Sequence, residues 1–219
     1  GMAEVARQNP EARVLVRAIR FADQAAWHVA EPTPVEQLEW HDLQAGGITA
    51  MGEALELVGA ALQSPPMEER ALPPVLVLIS DGQPTDDFDT GLARLMRQPW
   101  AQKAVRLAIA MGHDADLEVL QQFIGPEPKG GGRSARRPLQ ASNATSLAQY
   151  IQWASTAVVG AASMPASRVA AYDRQTSAGD SAGEAWAAGS SSSAEGNIPL
   201  PDLPPTLMDP TDDVGPLVW

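Results

Sequence analysis

Two stretches of this 219-residue chain carry oxygen-bearing side chains where a sheet would present them to a ligand. The first is Val75 to Asp87, VLVLISDGQPTDD, an aliphatic run that stops at Ser80, Asp81 and Gly82. An apolar strand ending this way leaves the Asp81 carboxylate at the carboxyl edge of the sheet, where a hard cation such as magnesium is held directly or through water. The second is Gly46 to Leu57, GGITAMGEALEL, which sets the Thr49 hydroxyl at the start of a helix, again on a loop entering that edge. Each also has a plainer reading. Threonines commonly cap helices, and Asp-Gly commonly turns a chain from strand to helix. Asp86 and Asp87 read as capping and helix-dipole residues rather than ligands.

The elements that must position these loops follow from periodicity. Ala12 to Phe21 alternates as a strand, and Ala25 to Ala30 reads as the second arm of a hairpin that Pro32 and Pro34 end. Met51, Leu55, Val58 and Leu62 recur at helical spacing, with Glu53 and Glu56 on the opposite face. Val75 to Ile79, apolar on both faces, reads as a central strand of a parallel sheet. There follow a helix from Phe88 to Arg97, a strand from Ala104 to Ala110, and a helix carrying Leu117, Leu120 and Ile124 on one face. After a basic, glycine-rich loop from Gly125 to Pro138 comes a helix from Thr145 to Ala162, with Leu147, Ile151, Ala154 and Val158 as its buried stripe. This alternation predicts a doubly wound, Rossmann-like α/β fold with a mostly parallel sheet and one antiparallel edge strand.

Composition narrows the functions. A net charge of −12 opposes binding to nucleic acid or anionic lipid, which needs surplus Lys and Arg. Half of it lies in residues 164–219, where eight carboxylates face two arginines for a net of −6. That segment, rich in Ser, Gly, Ala and Pro, is expected to be a disordered acidic tail or to dock through Ile198 to Pro205 and Pro216 to Trp219. Residues 1–163 form the expected domain. With no cysteine and no apolar run of bilayer length, the expected compartment is the cytoplasm. His28, His41 and His113 stand at no metal-ligand spacing. The basic loop with Lys129, Arg133, Arg136 and Arg137 is expected to be solvated. Gly1-Met2 reads as a cloning remnant before a start methionine.

Taken together, GGITAMGEALEL and VLVLISDGQPTDD resemble the second and third elements of the metal-ion-dependent adhesion site (MIDAS) of von Willebrand factor A (VWA) domains. Bacterial proteins of the tellurium-resistance TerY type are especially similar, with Asp-Gly-Gln-Pro-Thr-Asp included; the resemblance runs from about Ala3 to Ala162. It implies that Thr49 and Asp81 coordinate magnesium, that a carboxylate from a protein partner completes the octahedron, and that Gly47, Ile48, Gly82, Gln83 and Thr85 form the rim touching that partner. It further implies a bacterial signalling or stress-response setting. The family's opening strand, ending in Asp-x-Ser-x-Ser, has no counterpart, because no aspartate here has serine two and four positions later. In the family order that strand lies between the strands at Ala12 to Phe21 and Val75 to Ile79. Its absence leaves two unpaired edges, to be closed by each other, by the tail, or by strand donation from a partner or a second copy. Association is the expected outcome, together with weak magnesium binding.

An enzyme is the competing reading, either a magnesium-dependent phosphatase or a nucleotide-binding α/β enzyme. The chain has no Gly-x-x-x-x-Gly-Lys-Ser/Thr loop, no Gly-x-Gly-x-x-Gly and no Asp-x-Asp after a first strand. Catalysis is therefore not expected.

Overall fold

A computed structural model describes residues 14–44, 46–63, 67, 72–112, 115–126, 137–155 and 160. The tail, His113, the basic loop apart from Arg137 and its immediate flanks, and Val158 lie outside the described residues.

Strand β1 (Leu15–Phe21) pairs antiparallel with β2 (Ala25–Pro34) around the Ala22 to Gln24 turn. The hairpin was expected to end at Ala30, but β2 runs on through Pro32, with Leu15 opposite Pro34 and Val16 opposite Thr33. A strand in a two-stranded ladder has one side without a partner. Proline, lacking an N–H, is tolerated there. On β1 the Arg17 guanidinium lies 3.6 Å from the Trp27 ring centroid. Burial pulls its pKa below the ordinary value, and the Glu31 carboxylate partly opposes the shift.

Helix α1 (Met51–Ala61) precedes β3 (Val75–Ser80), and α2 (Phe88–Met96) leads through the short α3 (Pro99–Lys103) to β4 (Val105–Met111). Then come α4 (Leu117–Ile124), β5 (Leu139–Ala141) and α5 (Ala144–Trp153). The periodicity missed α3 and β5, which are too short to show a period.

The described residues form an α/β fold: a parallel sheet in the order β3-β4-β5, flanked by helices, beside the separate antiparallel pair β1-β2. The antiparallel strands are thus a ladder of their own and not the edge of one mixed sheet. The sequence read Val75 to Ile79 as a central strand; among the described residues the central strand is β4, whose Val105, Ile109 and Ala110 are fully buried. Among the described residues β3 pairs on one side only. On that edge Val77 remains 40% exposed, whereas Leu107, its partner across the ladder, is 6% exposed. No ladder joins β1 to β3, so the two edges have not closed on each other.

The two faces of the parallel sheet are covered unequally. Leu78, Ala108 and Ala110 pack with Met51 and Leu55 of α1, Phe88 and Leu95 of α2, and Leu120, Phe123 and Ile124 of α4. Phe21 of the hairpin joins this cluster. Opposite, Ile109 packs with Ala141 and with Tyr150 of α5, flanked by Ile79, Leu139 and Leu147. Burial holds the Tyr150 phenol above its ordinary pKa. Two predicted helix stripes hold in part: Leu120, Ile124 and Ala154 are buried as expected, but one member of each stripe is exposed. Leu117 is exposed while Phe123 is buried, and on α5 Tyr150, Trp153 and Ala154 are buried while Ile151 is exposed. Larger aromatic side chains fill the space over the sheet better than the aliphatic stripe that spacing alone selects.

The α1 and α2 helices approach so closely that a Cβ added at Gly91 would lie 2.7 Å from the Gly52 Cα, and one at Gly52 would lie 2.5 Å from the Asp87 carbonyl oxygen. An exposed ion pair between Arg94 and Glu56, 2.6 Å long, spans the same contact. Exposed pairs of this kind contribute little.

Asp87 caps α2 by accepting the Thr90 N–H at 3.1 Å. The Thr90 side chain and backbone hydrogen bonds hold the Asp87 carboxyl below the ordinary carboxylate range. Its stabilising effect is therefore complete above the ordinary carboxylate pKa and is lost as pH falls through the lowered value. Thermal unfolding of Asp87→Ala and wild type should differ at neutral pH and converge in acid. A gap that widens in acid would contradict the cap.

Candidate functional site

The site is built from two loops that meet. Asp81 and Gly82 follow β3 directly, and buried Ser80 shapes their turn: its Oγ accepts the Gly82 N–H and donates to the Gly82 carbonyl, each at 3.3 Å. Ahead of α1, the Thr49 N–H donates to Thr85 Oγ1 at 3.1 Å, and the Thr85 N–H donates to the Thr49 carbonyl at 2.9 Å. This reciprocal pair clamps the loops together. It brings Thr49 Oγ1 within 3.2 Å of the position a Cβ would take on Gly82, the neighbour of Asp81.

Thr49 is not the cap of α1. The N-cap is Ala50, which makes no side-chain hydrogen bond. The two N–H groups that a capping side chain would accept go instead to Asp86 on the other loop, Gly52 N–H to Oδ1 at 2.9 Å and Glu53 N–H to Oδ2 at 2.8 Å. Among the described residues the Thr49 hydroxyl makes no hydrogen bond and the Asp81 carboxylate accepts none. Both are hard oxygen donors at the carboxyl edge of β3, the edge at which an open parallel sheet binds ligands.

Around them, Ile48 is 57% exposed and Gln83 and Thr85 are exposed, while Gly82 is half-buried. Gly47 has a φ of 88°, and a Cβ there would lie 2.8 Å from Asp23 Oδ1, so a side chain is excluded twice over. That Asp23 oxygen accepts the Ile48 N–H at 3.0 Å. Glu53 Oε2 accepts the Ala25 N–H at 2.8 Å, and the Ala50 N–H donates to the Ala22 carbonyl at 2.9 Å. The hairpin turn is thereby fastened to the same loops.

Reading the sequence missed Ser80, Asp23, Glu53 and the true partners of Asp86. Only the Ser80 turn could have been found locally, because serine two residues before glycine commonly makes such a turn. Among the described residues no group of three or more His, Asp or Glu side chains could hold a metal. His28 instead stacks edge-on with Trp40, ring centroids 4.6 Å apart. An open groove lined by Leu117, Gln121, Pro126 and Pro138 lies along α4, away from Thr49 and Asp81. No helix among the described residues is long and apolar enough to cross a membrane.

Fold and site together define an α/β sheet protein with a pair of hydroxyl- and carboxylate-bearing loops joined at the strand carboxyl edge. No family model and no curated protein matches the chain. Among solved structures it is similar to the crystal structure of the ArnB paralog VWA2 from Sulfolobus acidocaldarius, 18% identical, over 57% of this chain and 33% of that one, with a TM-score of 0.36. The chain thus spans about a third of that neighbour's length, and so loose a superposition fixes neither topology nor function.

Proposed function

We propose that this chain is a VWA-type protein-interaction module, not an enzyme, that recruits its partner through a partial metal-ion-dependent adhesion site. The observation that carries the reading is the convergence of the Thr49 and Asp81 loops, with the Thr49 hydroxyl set against Gly82 and engaged by no other described group. The donor set fits a small hard cation. Thr49 Oγ1 and an Asp81 oxygen would hold magnesium, which keeps several waters in its octahedron and binds such sites through one or two protein ligands. Bound there, the ion would supply an electrophilic point to which a carboxylate of a protein partner attaches. Gly47, Ile48, Gly82, Gln83 and Thr85 would form the contact rim, with Ile48 offering apolar surface.

With two protein ligands, affinity for magnesium alone would be weak. Cytoplasmic signalling or stress response of the tellurium-resistance kind is the setting in which we place it. The outer edge of β3, which pairs with no strand among the described residues, supports association with a second copy or a donated strand as part of the same reading.

The test is a magnesium titration followed by amide NMR shifts. Wild type should respond at Thr49 and Gly82, while Thr49→Ala and Asp81→Asn should each weaken the response about tenfold or more, since lost ligation of this kind exceeds 1.4 kcal/mol. Unchanged titrations in both variants would overturn the metal site.

A further inference from the structure

We infer that Asp86 is the positioning residue of this site, holding the Thr49 loop and the β1-β2 turn in one arrangement without itself being a ligand. The role of the site rests on the reading above; the linkage rests on geometry alone. Both Asp86 oxygens are already occupied, by the Gly52 and Glu53 N–H groups at the start of α1. Carboxylate bonds to a helix N-terminus are charge-assisted and favoured by the helix dipole. The donors lie 34 and 33 residues away, so the bond joins the Ser80 to Asp87 loop to α1 rather than finishing a local turn. Gly52 makes this approach attainable, because any side chain there would strike the Asp87 backbone.

From α1 the linkage continues outward. Glu53, whose N–H Asp86 fixes, accepts the Ala25 N–H, and Asp23 in the same hairpin turn accepts the Ile48 N–H next to Thr49. Because no ladder joins β1 to β3, these side-chain to backbone bonds and the Ala50 to Ala22 bond are the described polar ties between the hairpin and the site. Asp86 thus acts beside the Thr49–Thr85 pair, and releasing it loosens the start of α1 on which both Thr49 and the hairpin turn are seated.

Amide hydrogen exchange on the full chain tests this. In Asp86→Asn, exchange at Thr49, Gly52, Glu53 and Ala25 should rise about tenfold or more, with Leu107 and Ile109 of the central strand unchanged, as for a local opening. Glu53→Ala, which removes the acceptor, should raise Ala25 alone. Magnesium-induced shifts at Gly82 should shrink in Asp86→Asn relative to wild type. A uniform rise across all amides, or unchanged exchange at Thr49 and Ala25, would overturn the inference. Should wild type show no magnesium response, the metal reading fails, and the exchange pattern still decides the linkage. If Asp86→Asn does not fold, Glu53→Ala carries the decision: protection retained at Ala25 would overturn the outward link.

Discussion

Gly91→Ala should destabilise the protein by about 1–3 kcal/mol or more, the range for forcing a methyl group into filled space. On propensity alone the change would stabilise, because glycine inside a helix is less favourable than alanine by about 0.5–1 kcal/mol. The sign reverses because the new Cβ would sit 2.7 Å from the Gly52 Cα, against backbone that has no rotamer to give. Gly59→Ala on α1 is the matched control. Its Cβ would meet the Leu95 Cα at 3.4 Å, ordinary contact, so the variant should be neutral or slightly more stable. Urea unfolding of the two variants separates them, and equal midpoints would refute the close helix contact. The consequence reaches the site, since pushing α2 off α1 also withdraws Asp86 from the Gly52 and Glu53 N–H groups.

Ile109→Ala should cost about 2–5 kcal/mol, as deletion of a fully buried aliphatic side chain does when its surroundings cannot collapse. Ile109 is fully buried at the middle of β4, between β3 and β5 and beneath Tyr150. Val77→Thr, one strand away, should stay within about 0.5 kcal/mol, because the side chain is 40% exposed and threonine keeps its branched shape. The contrast distinguishes a central strand from an edge. A large loss in Val77→Thr that grows with protein concentration would show the β3 edge covered by a second copy; a large loss independent of concentration would contradict the edge assignment.

These expectations separate what local pattern reveals from what it hides. The amphipathic spacing of Met51 and Leu55 located α1, and the aliphatic runs located β3 and β4 to within a residue or so, because burial of one face or both leaves a period in the sequence. The pairing of the Thr49 and Asp81 loops was legible for a related reason: strands and helices that alternate bring loop ends to one sheet edge. Asp87 as a cap was legible too, since its acceptor role is fulfilled within one turn.

Other features had no local trace. Thr49 stands where a helix cap is expected, yet Asp86 performs that task from across the site, 34 residues away from Gly52, and nothing in the intervening chain encodes the meeting. Leu117 and Ile151 match a helical stripe, but which face is buried depends on what the sheet offers opposite it, and Phe123, Tyr150 and Trp153 won those places. The amino-acid sequence by itself determined the order of the longer strands and helices and the two loops that carry Thr49 and Asp81, because those follow from burial period and chain connectivity. Only the tertiary structure decided that among the described residues β4 and not β3 is the central strand, that the hairpin stands as its own ladder, and that Asp86 bonds to the start of α1. Each of these depends on hydrogen-bond partners distant in sequence, and a backbone edge or a carboxylate does not announce its partner until the chain has folded.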